Sequence, residues 1–246
     1  MQVNYPSQIN VSNIEYSEMR PFGDNAKIVY VNHNSKPIII QTPLMVCPYG
    51  LGRYDGDTVK YSLDFSFRGK DETPAIKRFY DMLNSLDDKI LEESSKNSLA
   101  WFKKKTQSKD VSEALYTPSV KVATENGEPT DKYPPTFKCS IKSYDGKFKV
   151  LSFNDEKEPI DNNLQTTLSK GQTVRGIVKL SGIWFAGGKF GTKWELQQLK
   201  FTPRVNINEY SFVDDEDDET TNNNSTEEGN TETVNENYAI DSEDDL

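Results

Sequence analysis

The chain has few of the residues that build metal and redox sites. Its one histidine, His33, sits in a VNHNSKP turn, and its two cysteines, Cys47 and Cys139, share no metal-ligand spacing. Zinc needs closely grouped Cys and His ligands, so no metal and no cofactor are expected. Two cysteines permit one disulfide but do not suggest a disulfide-built secreted domain. No apolar run approaches the roughly 20 residues that span a bilayer. The opening MQVNYPSQINVSN has neither the charged nor the apolar region of a signal peptide. The expectation is a soluble, intracellular protein. Carboxylates are plentiful but scattered over loops and the C-terminal stretch. There is no convergent pair on rigid elements, no Gly-rich phosphate loop and no partnered histidine, so the chain does not read as an enzyme.

Positive charge is absent from the C-terminal end. From Asp214 onward there are 14 Asp and Glu and no Lys or Arg. All 29 basic residues therefore precede Asp214, along with 25 of the 39 acidic ones. The overall charge of -10 divides into a mildly basic body, net +4, and a polyanionic tail. Low hydrophobicity with high charge predicts disorder there, which sets the expected domains at 1–205 and 206–246. The final DSEDDL carries Asp241, Glu243, Asp244, Asp245 and the apolar Leu246. It is a short motif that a basic groove with a hydrophobic pocket would capture.

The body is rich in two-residue alternation. In TFKCSIKSYDGKFKVLSF (residues 136–153), Asp145-Gly146 between alternating runs predicts a hairpin with a two-residue turn. Tyr144 then faces Lys147, Ser143 faces Phe148 and Lys142 faces Lys149. One face collects Phe137, Cys139, Ile141, Phe148 and Val150, a core face. The other collects Lys138, Lys142, Tyr144, Lys147, Lys149 and Phe153. Like charges opposed across a sheet are destabilising, so the Lys142–Lys149 pairing calls for an anion over it. Ammoniums interleaved with rings suit the phosphates and unstacked bases of a single nucleic-acid strand; a solvated lysine face is the plain alternative.

The rest follows in order. An edge strand is expected around 9–16 and further strands at 27–31 and 37–41, with a short one at LMVC. PYGLGRYDGD reads as a loop presenting Arg53 and Tyr54. Thr58–Arg68 alternates strictly, with Val59, Tyr61, Leu63, Phe65 and Phe67 on a core face. Thr73-Pro74 starts a helix whose stripe is Ile76, Phe79, Leu83, Leu86 and Ile90. A second helix over 97–105 ends in Lys103-Lys104-Lys105, which complements a helix C-terminus or tracks phosphates. In 173–185 the pattern puts Val174, Gly176, Val178, Leu180 and Trp184 on one face. Arg175, Ile177, Lys179, Ser181 and Phe185 take the other. AGGKFG then reads as a flexible tip offering Lys189, Phe190 and Lys193, with Phe190 exposed for base stacking. Trp184 and Trp194 read as buried.

This pattern is shared by a sandwich and by a mainly β, OB-fold-like Greek-key barrel with one or two inserted helices. A resemblance favours the barrel. YTPSVKV (Tyr116–Val122), KYPPTFKCSIK (Lys132–Lys142) and GIVKLSGIWFAGGKFGTKWELQQLKF (Gly176–Phe201), with the acidic terminus, resemble the T-seven-type phage single-stranded DNA-binding protein family. The likeness is closer to its relatives in large nucleocytoplasmic DNA viruses. The resemblance implies an oligonucleotide-binding barrel that coats single-stranded DNA in replication and recombination. It implies an acidic terminus that competes with DNA and engages replication partners such as a polymerase or helicase, and often a homodimer. For a viral protein the compartment would be the site of viral DNA replication, in the host nucleus or a cytoplasmic factory. The phage proteins end in an aromatic residue, whereas this chain ends in Leu246. An acidic-tailed chaperone or scaffold for basic proteins remains the alternative of another class. RNA remains an alternative ligand, since no residue names a 2′-hydroxyl contact.

Overall fold

In the computed structural model the chain divides into two units, Met1–Val205 and Asn206–Leu246. The described residues, 2–56, 58–161 and 163–203, all lie in the first. The tail residues Asp241, Glu243, Asp244, Asp245 and Leu246 fall outside them. No helix among the described residues is long and apolar enough to cross a membrane.

In chain order the longer strands and helices are β1 (Ile14–Pro21), β2 (Ala26–His33), β3 (Ile39–Gln41), β4 (Met45–Cys47), β5 (Leu51–Tyr54), β6 (Lys60–Ser66), α1 (Pro74–Lys96), α2 (Ser98–Phe102) and α3 (Lys109–Leu115). Then follow β7 (Thr136–Ile141), β8 (Leu151–Phe153), β9 (Gln172–Ala186) and β10 (Lys189–Lys200). Five of these close a ring. β4 pairs with β6, β6 with β7, β7 with β10, β10 with β9, and β9 returns to β4. Counted along the chain the ring order is 1-2-3-5-4. All its ladders are antiparallel except the β7–β10 seam, where Ser140 pairs in parallel with Glu195. The fold is mainly β and OB-like, a small Greek-key barrel. β2 pairs with the far half of β9 and β1 pairs with β2, extending the sheet beyond the ring.

The expected stripe of α1 is buried throughout: Ile76, Phe79, Leu83, Leu86 and Ile90 all face the barrel. Phe79 meets Phe137 edge-on at 5.3 Å, and Phe137 meets Trp194 at 5.5 Å, so one aromatic chain joins helix, β7 and β10. Pro74 takes the first helical position after Thr73, as its fixed φ favours.

Several expectations are corrected. Leu51–Tyr54 is a strand rather than a loop, because Gly52 lets it lie close against Ser62 of β6. Val59 is exposed and Tyr61 half-buried, as the β6 core face begins only at Leu63. α2 stops at Phe102, and Lys103 turns left-handed at φ 58, so the lysine triplet lies beyond the helix. The largest change is in β9. A bulge between Leu180 and Gly182 adds one residue to the strand and inverts its alternation from there on. Phe185 therefore points inward, 9% exposed, and Trp184 points outward and is half-buried, the reverse of the expected faces. The turn into β10 is only Gly187-Gly188, so Phe190 already belongs to the strand. It pairs with Phe185, stacks on it at 5.7 Å and is fully buried, so it offers no exposed stacking surface.

At Gly182 φ is +148, and a Cβ would lie 2.6 Å from the Val29 carbonyl oxygen and 2.8 Å from Ile28. Gly182→Ala is expected to destabilise the protein by about 3 kcal/mol through strain and overpacking. Urea unfolding checks this, and a loss under about 0.5 kcal/mol would show that the bulge does not need glycine.

Candidate nucleic-acid interface

The hairpin at Asp145-Gly146 forms as expected, with Tyr144 opposite Lys147 and Ser143 opposite Phe148. Both turn residues are left-handed, at φ 48 and 72, the geometry that an Asp-Gly pair supplies to a tight hairpin. Phe137, Cys139, Ile141, Phe148 and Val150 are all buried. Lys138, Lys142, Tyr144, Lys147 and Lys149 are exposed. Phe153 is not part of this face. The hairpin pairing runs out after Lys149, and Leu151–Phe153 leaves it to pair in parallel with β10, Phe153 beside Lys200.

The Lys142–Lys149 opposition also holds, with the Lys149 amide donating to the Lys142 carbonyl at 2.9 Å. The protein supplies part of the counter-charge itself. Lys142 Nζ lies 2.8 Å from Glu195 Oε2, whose residue is 5% exposed at the parallel seam. Lys149 Nζ sits 5.7 Å from the Tyr144 ring centroid. Lys138, in register with Asp64, approaches its carboxylate at 3.6 Å. Burial raises the Asp64 pKa, while Lys138 and Lys121 pull it down.

The cations are gathered around β10. Burial lowers the pKa of Lys193; Glu195 opposes that shift, while Lys142 and Lys60 add to it. Lys193 Nζ also lies 4.4 Å from the centroid of the Phe22 ring. Beside this cluster runs a cleft of about 240 Å³ between segment 117–121 and the outer face of the barrel. Lys121, Lys138, Ser140, Trp184, Thr192 and Lys193 line it. Tyr54, 68% exposed, pairs with Lys60 across β5 and β6, which brings it to the same neighbourhood. Lys60, Lys121, Lys147, Lys149 and Lys193 have no carboxylate partner among the described residues, whereas the guanidinium of Arg53 is held by Asp55 at 2.8 Å.

The remaining candidates lie elsewhere. Arg175 is in register with Lys200 and lines a different cleft with Asp155. Lys179 is in register with Glu195 but opens onto a cleft with His33 and Lys36. Phe185 and Lys189 line a third cleft by the Gly187-Gly188 turn. Sequence reasoning missed Lys60, Lys121, Trp184 and Phe22. Lys60 was visible on the polar face of its strand and Lys121 in the YTPSVKV run. Gly182 was the one signal for the inversion that turns Trp184 outward.

The cleft's wall is held from beneath by a buried carboxylate. Asp87 of α1 accepts from Tyr116 Oη at 2.6 Å and from the Ser119 amide and hydroxyl, both at 2.7 Å. Ser119 Oγ also lies 2.7 Å from Thr192 Oγ1 on β10. Helix, wall and barrel are thus joined through one side chain.

Comparison with known proteins gives a family and a set of distant folds. A model described as "Family of unknown function (DUF5871)" matches residues 73–214. No curated protein matches the sequence. Among solved structures, the single-stranded DNA-binding protein from bacteriophage Enc34, in complex with ssDNA, superposes with a TM-score of 0.42 at 14% identity, over 77% of this chain and 96% of that one. Its C-terminal truncation gives 0.42 at 13%, over 76% and 96%. The gp2.5 single-stranded DNA binding protein of bacteriophage T7 gives 0.40 at 11%, over 72% and 98%.

Burial pushes the Asp87 carboxyl up to about 6, with the Tyr116 and Ser119 donors opposing, against an ordinary value of about 3.9. The folded state thus holds this proton more tightly than the unfolded chain. The group's contribution to stability is complete below about pH 4 and is lost as pH rises through about 6, about 3 kcal/mol in all. The advantage of the native protein over Asp87→Asn, measured by urea unfolding, is therefore expected to be larger at pH 4 than at pH 7. An advantage that grows with pH would mean that Asp87 is held ionised.

Proposed function

The chain belongs to the DUF5871 family of unknown function, and we propose that this member is a sequence-tolerant single-stranded DNA-binding protein. The observation that carries the reading is the outer face of β6, β7 and β10. There Lys121 and Lys193, without carboxylate partners among the described residues, line a cleft walled by the outward-turned Trp184, with Phe22 under Lys193 and the charge of Lys60 felt at Lys193. Tyr144, 69% exposed, stands on the adjoining hairpin among Lys147 and Lys149. Ammoniums track a phosphate backbone, and ring faces accept any base, so such a surface favours unpaired strands with little regard to sequence. In an OB barrel the face of the second and third strands, here β6 and β7, is where oligonucleotides lie.

The role that fits is protection of exposed strands during DNA replication, recombination and repair, with no catalytic step. The acidic run from Asp214 supports a second element, an intramolecular competitor for the cations that also recruits replication proteins. Removing residues 214–246 is expected to tighten binding to an oligonucleotide, most at low salt, where charge contacts reach furthest. Equal affinities of the full and shortened chains would remove the competitor and leave the binding surface intact.

For the surface itself, Lys60→Glu with Lys121→Glu is expected to weaken binding of oligo-dT by tenfold or more. The slope of log affinity against log salt should fall by about 1.4, at about 0.7 per phosphate contact on a single strand. Tryptophan fluorescence titration at several salt concentrations reads both. Unchanged affinity and slope would place the strand elsewhere.

A further inference from the structure

The cleft by the Gly187-Gly188 turn, of about 550 Å³, opens where the 21–27 loop and the 101–107 connection converge on that turn. Trp101, Phe102 and Phe185 form its apolar wall, packed edge to face at 5.6 and 5.7 Å. Lys27, Lys104 and Lys189 line it together with one carboxylate, Asp24, and none of the three lysines is ion-paired among the described residues, which leaves the cleft net positive. Gly187 and Gly188, at φ 58 and 78, have open space where a side chain would begin. Gln107 lines the cleft and is 7% exposed. Its Nε2 donates to Ser112 Oγ at 3.0 Å, while its Oε1 is buried with no hydrogen-bond partner. A buried amide oxygen left unpaired costs about 1–3 kcal/mol, so a donor arriving there would be favoured.

An apolar aromatic wall, three free ammoniums and one unmatched acceptor complement a nucleotide: a planar base, its phosphate, and an amino group on the base edge. The cleft lies close along the chain to the proposed strand-binding groove. Leu115 lines this cleft and Thr117 lines the groove, two residues of extended chain apart, about 7 Å. Trp184 and Phe185, neighbours on β9, line one cleft each from opposite faces of the strand, so a bound strand reaches both by passing the β9–β10 tip. We propose that this cleft is a subsite for one nucleotide unit. The base lies against the Trp101–Phe102–Phe185 wall with its amino group toward Gln107, and the phosphate lies among Lys27, Lys104 and Lys189. Adenine, cytosine and guanine carry that amino group and thymine does not, so the subsite introduces a mild base preference into an otherwise tolerant surface. This inference rests on the strand-binding reading above.

The test uses the full chain and an oligo-dC carrying one 5-iododeoxycytidine, irradiated and mapped by mass spectrometry. Crosslinks are expected in the peptide containing Trp101 and Phe102. Lys104→Glu with Lys189→Glu is expected to weaken oligo-dC binding about tenfold, and oligo-dT binding less. Protection of the crosslink by free dCMP would show that the cleft also takes a mononucleotide. Absence of protection, with the crosslink retained, would show that it takes the unit only within a strand; both uphold the subsite. If crosslinks fall only at Trp184 and Tyr144 and the Lys104/Lys189 variant binds as the native protein does, the subsite is overturned while strand binding stands. If the native chain binds no oligonucleotide, both readings fall. Capture of a DSEDDL peptide that oligo-dC does not displace would overturn the subsite in favour of peptide docking.

Discussion

The bulge at Gly182 governs both faces of the longest strand. Before it, β9 is a stave of the barrel, with Val174, Val178 and Leu180 in the core. After it, β9 pairs with β2 and sends Ile183 and Phe185 inward. A single added residue therefore lets one 15-residue strand serve two sheet regions with opposite alternation. It also creates an aromatic cluster of Trp101, Phe102, Phe185, Phe190 and Tyr116, which fixes the short helices against the sheet. The same shift leaves Trp184 as a wall of the cleft, so fold closure and the candidate surface share one cause.

Electrostatics gives the candidate surface its character. Two lysines that look free in the sequence are matched from below, Lys142 by Glu195 and Lys138 by Asp64. Both acids are largely enclosed by the sheet and stay near their lysines without lying out in the groove. The lysines without such partners, Lys60, Lys121 and Lys193, ring this matched pair. A surface of this kind tolerates like charges at close quarters because two of its cations, Lys138 and Lys142, have a carboxylate beneath them. It still presents net positive charge to a polyanion.

Much of the fold was legible because its signals are local and periodic. The five-residue stripe of α1, the Asp145-Gly146 turn and the register of its hairpin depend on residues within one or two turns of each other. The closed ring was legible only through resemblance, since its seam joins Ser140 to Glu195 across the chain. The candidate surface was half legible. Its lysines on β7 stood out, but the inversion at Gly182 exchanged Phe185 for Trp184, and the short Gly187-Gly188 turn buried Phe190. No pattern within those segments counts the residues in a bulge; that number is set by how β9 meets β2 and β10 at once. The carboxylates under the lysines were also hidden, because Glu195 and Asp64 reach them from other strands.

The pairing of Lys142 with Glu195 has a further meaning for release. A phosphate that draws Lys142 outward strips a nearly enclosed carboxylate of its only ion-pair partner among the described residues. Enclosed charge without a counter-ion is unfavourable, so Glu195 would pull the lysine back while a proposed strand was in place. On the proposed strand-binding reading, grip at that position would be self-limited and the seam would act as a return spring. A protein built this way would hold a strand by many modest contacts and yield it, one position at a time, to whatever machinery advances along it.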